Sequence, residues 1–290
     1  MTSWTLGIIG GSGLYALDGL EDPRWQAVET PFGSPSDEIL TGRLAGVRIA
    51  FLPRHGRGHR IPPDQLNARA NIMALKQLGV TDLISVSAVG SLDDARAPGD
   101  FVLVDQFIDR THSRPMSFFG HGLAAHVAFA DPVCPRLSAL LAAAIPISGA
   151  KLHKGGTYLA MQGPQFSTRA ESRLYKSWGA HVIGMTAMPE ARLAREAELP
   201  YALLAMVTDY DSWKEDADPV SVPEILHVMA TNTATARAAL TRLAAHLPAV
   251  RTPSPIDTAL DGALVTDTSA RDPALLASLA PLLERTLRQP

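Results

Sequence analysis

Cysteine is nearly absent from this sequence. Cys134 stands alone, so no internal disulfide forms, and a reducing compartment fits that usage. No apolar run is long enough to cross a bilayer. Met1 to Gly13 lacks the basic stretch and apolar core of a secretory leader, so the expectation is a soluble, cytoplasmic protein. Positive charge is not in excess. With 26 Lys and Arg against 29 Asp and Glu, the formal net charge is -3, which argues against a broad basic surface for nucleic acid. Metal motifs are missing too, with no cysteine cluster and no His-Glu-x-x-His. So is the Gly-x-Ser-x-Gly elbow of a serine hydrolase. What is present is a chain of 290 residues, 46% of them hydrophobic. That suffices for one large domain or two small ones and is too apolar for a disordered chain.

Apolar runs that stop at small or charged residues recur along the chain. Trp4 to Ile9 reads as a strand ending in Gly10-Gly11-Ser12-Gly13, and Val47 to Leu52 as a second. Pro23, Pro31 and Pro35 predict loops between them. Leu83 to Val86, Val102 to Phe107, Tyr158 to Met161, His181 to Ile183 and the run ending at Asp209 complete the strands. Helices are predicted from Asp64, as N-cap, to about Leu78, from Arg169 to Trp178, from Pro189 to Glu198 and from about Val222 to Leu247. Strands alternating with helices predict an α/β fold, a single domain over residues 1–248 with a central twisted mixed sheet flanked by helices. Pro248 to Pro273 is rich in Thr, Ser, Pro and Asp and reads as a linker. Asp272-Pro273 is a sound N-cap with Pro at the first helical position. Residues 249–290 are therefore expected to be a linker and a C-terminal helix, packed on the domain or on a neighbouring subunit.

Thr208-Asp209-Tyr210-Asp211 places two carboxylates where a core strand stops. Ligands collect at the carboxyl ends of strands in open α/β sheets, and acids beside a core need a partner. The pair points to proton chemistry or to recognition of a polar ring, with a solvated strand end or helix cap as the plain alternative. Gly11-Ser12-Gly13-Leu14-Tyr15-Ala16 matches the dinucleotide fingerprint in form only, because Asp18, Gly19, Asp22 and Pro23 follow where that motif needs a helix. Its N–H groups and the Ser12 hydroxyl still suit an anion. Arg54 and His55 sit at another strand end. The planar donors of arginine match phosphate oxygens, against the alternative of a solvated basic loop. His55 and His59 have metal-ligand spacing, but Gly56 and Gly58 break the helix such a pair needs. Ser87-Ala88-Val89-Gly90-Ser91 and Gly184-Met185-Thr186 are two further hydroxyl-bearing strand ends. Together these ends predict one site, with hydroxyls and N–H groups for an anion, Arg54 for charge and Asp209 for a heterocycle.

With these residues in order, the sequence resembles the trimeric purine nucleoside phosphorylases, and most closely the branch acting on 5′-methylthioadenosine. The matching segments include Ile8 to Leu14, Thr30-Pro31-Phe32-Gly33, Arg54-His55-Gly56-Arg57, Asn67 to Asn71, Gly163 to Ser172, Gly184 to Glu190 and Thr208 to Asp211. Agreement runs from about Trp4 to Leu247. The resemblance implies phosphorolysis of methylthioadenosine to adenine and 5-methylthioribose 1-phosphate, a step of purine and methionine salvage. It implies no metal or cofactor, inorganic phosphate being the co-substrate. It places Ser12, Arg54, His55, Ser87, the Ala88 backbone and Thr186 on phosphate, Phe166 against the purine, and Met185 under the ribose. Asp209 and Asp211, joined through Tyr210, would bind the base edge and act as the catalytic pair. It also implies a homotrimer in which His126 reaches the 5′ pocket of the neighbouring subunit.

Three positions then bear on the substrate. Members acting on 6-oxopurines carry Asn at the position of Asp209, and a carboxylate accepts from a 6-amino group where an amide suits a 6-keto oxygen. Those members also carry Glu where Ser167 follows Phe166. The helix position that reads a 5′-hydroxyl with His is Val222 here, and with Ile225 and Leu226 it makes an apolar pocket suited to a methylthio group. Three positions depart from the family pattern: Gly184 replaces the Asn of animal methylthioadenosine phosphorylases, and Ser12 and Ser87 replace the usual Thr while keeping the hydroxyl. Action on adenosine, inosine or methylthioinosine is the alternative.

Overall fold

The computed structural model describes residues 3–11, 13–14, 16–145, 151–214 and 222–287. Ser12 and the side chain of Val222 lie outside the described residues. The frame is an 11-stranded mixed sheet. Its strands are β1 (Thr5–Gly10), β2 (Leu20–Gln26), β3 (Ile39–Leu44), β4 (Val47–Pro53), β5 (Asp82–Ser91), β6 (Phe101–Val104), β7 (Gln106–Asp109), β8 (Leu152–Lys154), β9 (Thr157–Ala160), β10 (Val182–Gly184) and β11 (Tyr201–Tyr210). The helices are α1 (Ala68–Gln77), α2 (Pro135–Ala144), α3 (Arg169–Ser177), α4 (Ala187–Glu196), α5 (Val222–His246), α6 (Pro273–Ser278) and α7 (Ala280–Leu287).

Successive strand residues face opposite sides of a sheet, and this chain buries both sides. Ile8, Phe51 and Leu204 pack in one apolar layer with α2 and α5, while Ile9, Leu52 and Leu203 pack in the other with α1 and α4. That explains why the core strands read as continuous apolar runs rather than as alternating ones.

Three local expectations are corrected. Pro23 does not sit in a loop but inside β2, which among the described residues pairs only with β3 and carries an irregularity between Glu21 and Arg24; a strand edge tolerates the missing N–H. Asp64 lies in a 3₁₀ turn, and Asn67 caps α1 by accepting the Ala70 N–H. The run Val102 to Phe107 divides at Asp105, because β6 pairs with β11 and β7 with β9.

The polar segment after Pro248 is held against the domain. Arg251 is buried and pairs with Asp82 and Asp257, and Arg136 also reaches Asp82. Farther on, Leu260, Leu279, Leu282 and Leu283 join the same apolar layer as α1 and α4. Among the described residues, no helix is long and apolar enough to cross a membrane.

The site arises where β5 changes partners. Its first half pairs with β1 through Asp82 to Ser85, and its last two residues, Gly90 and Ser91, pair with β10. Between Ser85 and Gly90 that edge of β5 meets no strand among the described residues. On its other side β11 follows β5 along nearly its whole length, with a bulge at Thr208 between the pairs Val207–Val89 and Asp209–Gly90. A bulge bends a strand and re-aims the side chains beyond it. Here it occurs immediately before the two acids.

Candidate active site

A cavity of about 680 Å³ opens at this gap. One end is lined by Ser87, Ala88 and Thr186 together with Arg54 and His55, and the other by Asp209 and Asp211. Phe166 and Met185 form part of the wall, and α5 closes a side with Ile225 and Leu226. The structure thus brings together eleven of the residues selected from sequence. Tyr210 is not among them. It lies between two residues that share a face, so it points to the opposite one, where its ring meets Trp213 edge-on with centroids 6.1 Å apart. Ser167 stands behind the wall, buried, with its hydroxyl on Met161 Sδ and its carbonyl accepting from Ser212. His126 is exposed and outside its own chain's cavity.

At the acidic end, the Thr208 hydroxyl donates to Asp209 Oδ1 at 2.7 Å. Burial drives the Asp209 pKa up to about 6. The Thr208 hydrogen bond opposes that rise, and the Asp211 charge adds to it. Asp211 is also buried and its pKa is raised by burial, against the nearby hydroxyls of Ser172 and Ser167 and the Ser212 N–H. Among the described residues its Oδ2 nonetheless has no hydrogen-bond partner within ordinary distance. Gly90 leaves room for this pair, since a Cβ there would stand 3.1 Å from Asp209 Oδ2.

At the other end, Arg54 is nearly inaccessible and heavily engaged. Nε donates to Glu190 at 2.9 Å, Nη1 to the Val86 carbonyl at 2.9 Å and Nη2 to Ser85 Oγ at 2.7 Å. Burial disfavours its charge, but Glu190 more than offsets this and raises the pKa. The Tyr201 hydroxyl donates to the same Glu190 at 2.9 Å. The Ser87 and Thr186 hydroxyls are 3.3 Å apart. Beneath them Tyr158 is fully buried, and its Oη accepts the Thr186 N–H at 3.4 Å.

Three contributors were not assigned a role from sequence. Glu190 was visible as a charge inside the segment Gly184 to Glu190, but nothing local shows that it meets Arg54. Tyr158 reads as an ordinary strand aromatic. Arg114 lies in a loop without a motif, yet it donates to the carbonyls of Met185 at 2.7 Å, Met188 at 2.8 Å and Gln162 at 2.6 Å. It thereby ties together the two loops that carry Phe166 and Met185.

Tyr158 also accounts for Gly184. A Cβ on Gly184 would lie 2.0 Å from Tyr158 Oη, so a larger side chain has no space here. Gly184→Ala should destabilise the fold by about 1–3 kcal/mol through overpacking. Urea unfolding measures this, and an unchanged midpoint would show that Tyr158 moves aside freely.

A cavity at strand ends, with hydroxyls and an arginine at one end and a protonatable carboxylate at the other, fits transfer of a group between an anion and a polar ring. The chain belongs to the phosphorylase superfamily, whose family model matches residues 5–245. Among its relatives is the S-methyl-5′-thioadenosine phosphorylase of Cereibacter sphaeroides, 59% identical over 98% of each chain. Another is the S-methyl-5′-thioadenosine phosphorylase of Bradyrhizobium diazoefficiens, 54% identical over 99% of this chain and 100% of the relative. The crystal structure of a methylthioadenosine phosphorylase from an Antarctic soil metagenomic library superposes with a TM-score of 0.92 at 45% identity, covering 98% of this chain and 100% of that one.

Proposed function

We propose that this chain catalyses phosphorolysis of 5′-methylthioadenosine, giving adenine and 5-methylthioribose 1-phosphate. The observation that carries the reading is the placement of a buried, readily protonated Asp209 in the same cavity as the Ser87–Thr186 hydroxyl pair. The relatives that share more than half of its residues support the same substrate. In the proposed reaction the C1′–N9 bond breaks as positive charge builds on the ribose, and an enzyme gains rate by stabilising that state. Phosphate at the hydroxyl end supplies the opposing charge and attacks C1′. Asp209 donates to N7 of the departing base. The balance closes without a cofactor, because Asp209 gives its proton to the leaving adenine and regains one from the hydrogen phosphate, which sheds it on becoming the ester. The apolar face of Ile225 and Leu226 would receive the methylthio group.

The test is a rate comparison of methylthioadenosine, adenosine, inosine and methylthioinosine, each with and without phosphate. Methylthioadenosine should be fastest and strictly phosphate-dependent. Base release without phosphate would make the chain a hydrolase, and equal rates across the series would make it a broad nucleoside phosphorylase.

The raised carboxyl pKa sets a pH dependence. The acid form of Asp209 is the donor, so kcat/KM should decline as pH rises through about 6. Asp209→Asn should remove that limb, and a limb that survives the substitution belongs to another group. The same shift acts on stability. The folded protein holds the Asp209 proton more tightly than the unfolded chain, whose reference value is 3.8, so this contribution favours folding in acid and is lost as pH rises through about 6.

The reading includes a cytoplasmic homotrimer whose partners are the nucleoside and phosphate. The exposed position of His126 supports completion of the site by a neighbouring subunit. Sedimentation of the active species should show a trimer; a fully active monomer would refute the requirement.

A further inference from the structure

The phosphate end of the cavity contains a hydrogen-bond acceptor where donors are expected. His55 lines the cavity with its ring stacked on His59, the centroids 4.3 Å apart. Its Nδ1 stands 2.9 Å from the Ile61 carbonyl oxygen. A carbonyl only accepts, so Nδ1 carries the proton. Nε2 then holds a lone pair, unless the ring takes a second proton. Burial and the neighbouring Arg54 and His59 charges disfavour that second proton, holding the pKa down to about 4.

Among the described side chains, the rest of that end is not strongly donating either. The guanidinium of Arg54 is largely spent on Glu190, Ser85 and the Ile9 and Val86 carbonyls. The Ser87 and Thr186 hydroxyls can each donate or accept, and one of them is used on the other. Among the described side chains, an anion here meets few fixed donors and one fixed lone pair. Resting on the phosphorolysis reading above, we propose that His55 accepts a hydrogen bond from the anion, so that the site takes a tetrahedral oxyanion that carries a proton and disfavours one that carries none. Hydrogen phosphate satisfies the lone pair through its P–OH. Sulfate has no proton at neutral pH and turns an oxygen lone pair toward Nε2. Monofluorophosphate separates the proton from the charge, because it keeps the double charge of hydrogen phosphate and replaces its hydroxyl with fluorine.

The experiment measures inhibition of phosphate-dependent adenine release from methylthioadenosine at neutral pH, with sulfate, monofluorophosphate and arsenate as competitors. Arsenate carries the proton and should compete at concentrations comparable to phosphate. Sulfate and monofluorophosphate should each bind at least about tenfold more weakly, the worth of one hydrogen bond to an ion. Either of them binding as tightly as phosphate would overturn the proposal. In His55→Gln, whose amide can rotate to donate, the gap should narrow markedly. A folded His55→Gln that keeps the full gap would assign the discrimination to another group and also overturn it. If that variant fails to fold, the anion series on the unaltered enzyme decides. Failure of the phosphorolysis reading looks different, because adenine release would then continue with no oxyanion present.

Discussion

Replacing Asp209 with asparagine should lower kcat/KM on methylthioadenosine by about 10²–10⁴-fold, the usual loss for a positioned acid. The expectation rests on two properties of one side chain. Asp209 lines the cavity, and burial has moved its pKa to about 6, so a usable fraction is protonated near neutrality. Asparagine keeps the size and can still offer N–H groups, but it cannot deliver a proton. The loss should therefore appear mainly in kcat. Stability should not fall, because the substitution removes a buried charge that is unfavourable above pH 6; a thermal melt separates lost chemistry from lost fold. The amide also suits a 6-keto oxygen, so activity on methylthioinosine should rise relative to methylthioadenosine. Full activity of Asp209→Asn on methylthioadenosine would remove Asp209 from the acid role.

Glu190→Ala should destabilise the fold by about 3–5 kcal/mol, the range for breaking a buried ion pair by deleting one partner. Arg54 and Glu190 have side chains only 3% and 6% exposed and meet at 2.9 Å. Without Glu190, a guanidinium remains buried and uncompensated, and the Tyr201 hydroxyl loses its acceptor. Arg54 then loses the anchor that fixes its charge at the anion end of the cavity, so the KM for phosphate should rise as well. Glu190→Gln retains an acceptor for Arg54 and should lose less stability than Glu190→Ala. Urea unfolding with phosphate kinetics on both variants checks this. A Glu190→Ala protein within about 1 kcal/mol of the unaltered chain would show that the pair is replaceable by water or by another carboxylate, as surface pairs often are.

The two acids show how far local pattern reaches. Asp209 and Asp211 were legible because a long apolar run ends on them, and a run of that kind is a buried strand whatever surrounds it. Their shared face follows from the two-residue period. That Asp209 faces the cavity was not legible, because it depends on the bulge at Thr208 and on the space above Gly90. Ser12 and the side chain of Val222 lie outside the described residues, so the apolar 5′ pocket stands here on Ile225 and Leu226.

By itself, the sequence determined the α/β class, the strand ends that carry polar residues, and the chemical types available there. Those follow from hydropathy period and residue chemistry, which act over a few residues. Tertiary structure decided which ends meet. It decided that β5 exchanges β1 for β10 and leaves an opening, and that Arg54 meets Glu190, 136 residues away. It decided that His55 turns Nδ1 to the Ile61 carbonyl and so becomes an acceptor. Each of these is a choice of partner for a buried polar group, made among many candidates once the backbone has brought them together, and a local pattern of residues carries no record of that choice.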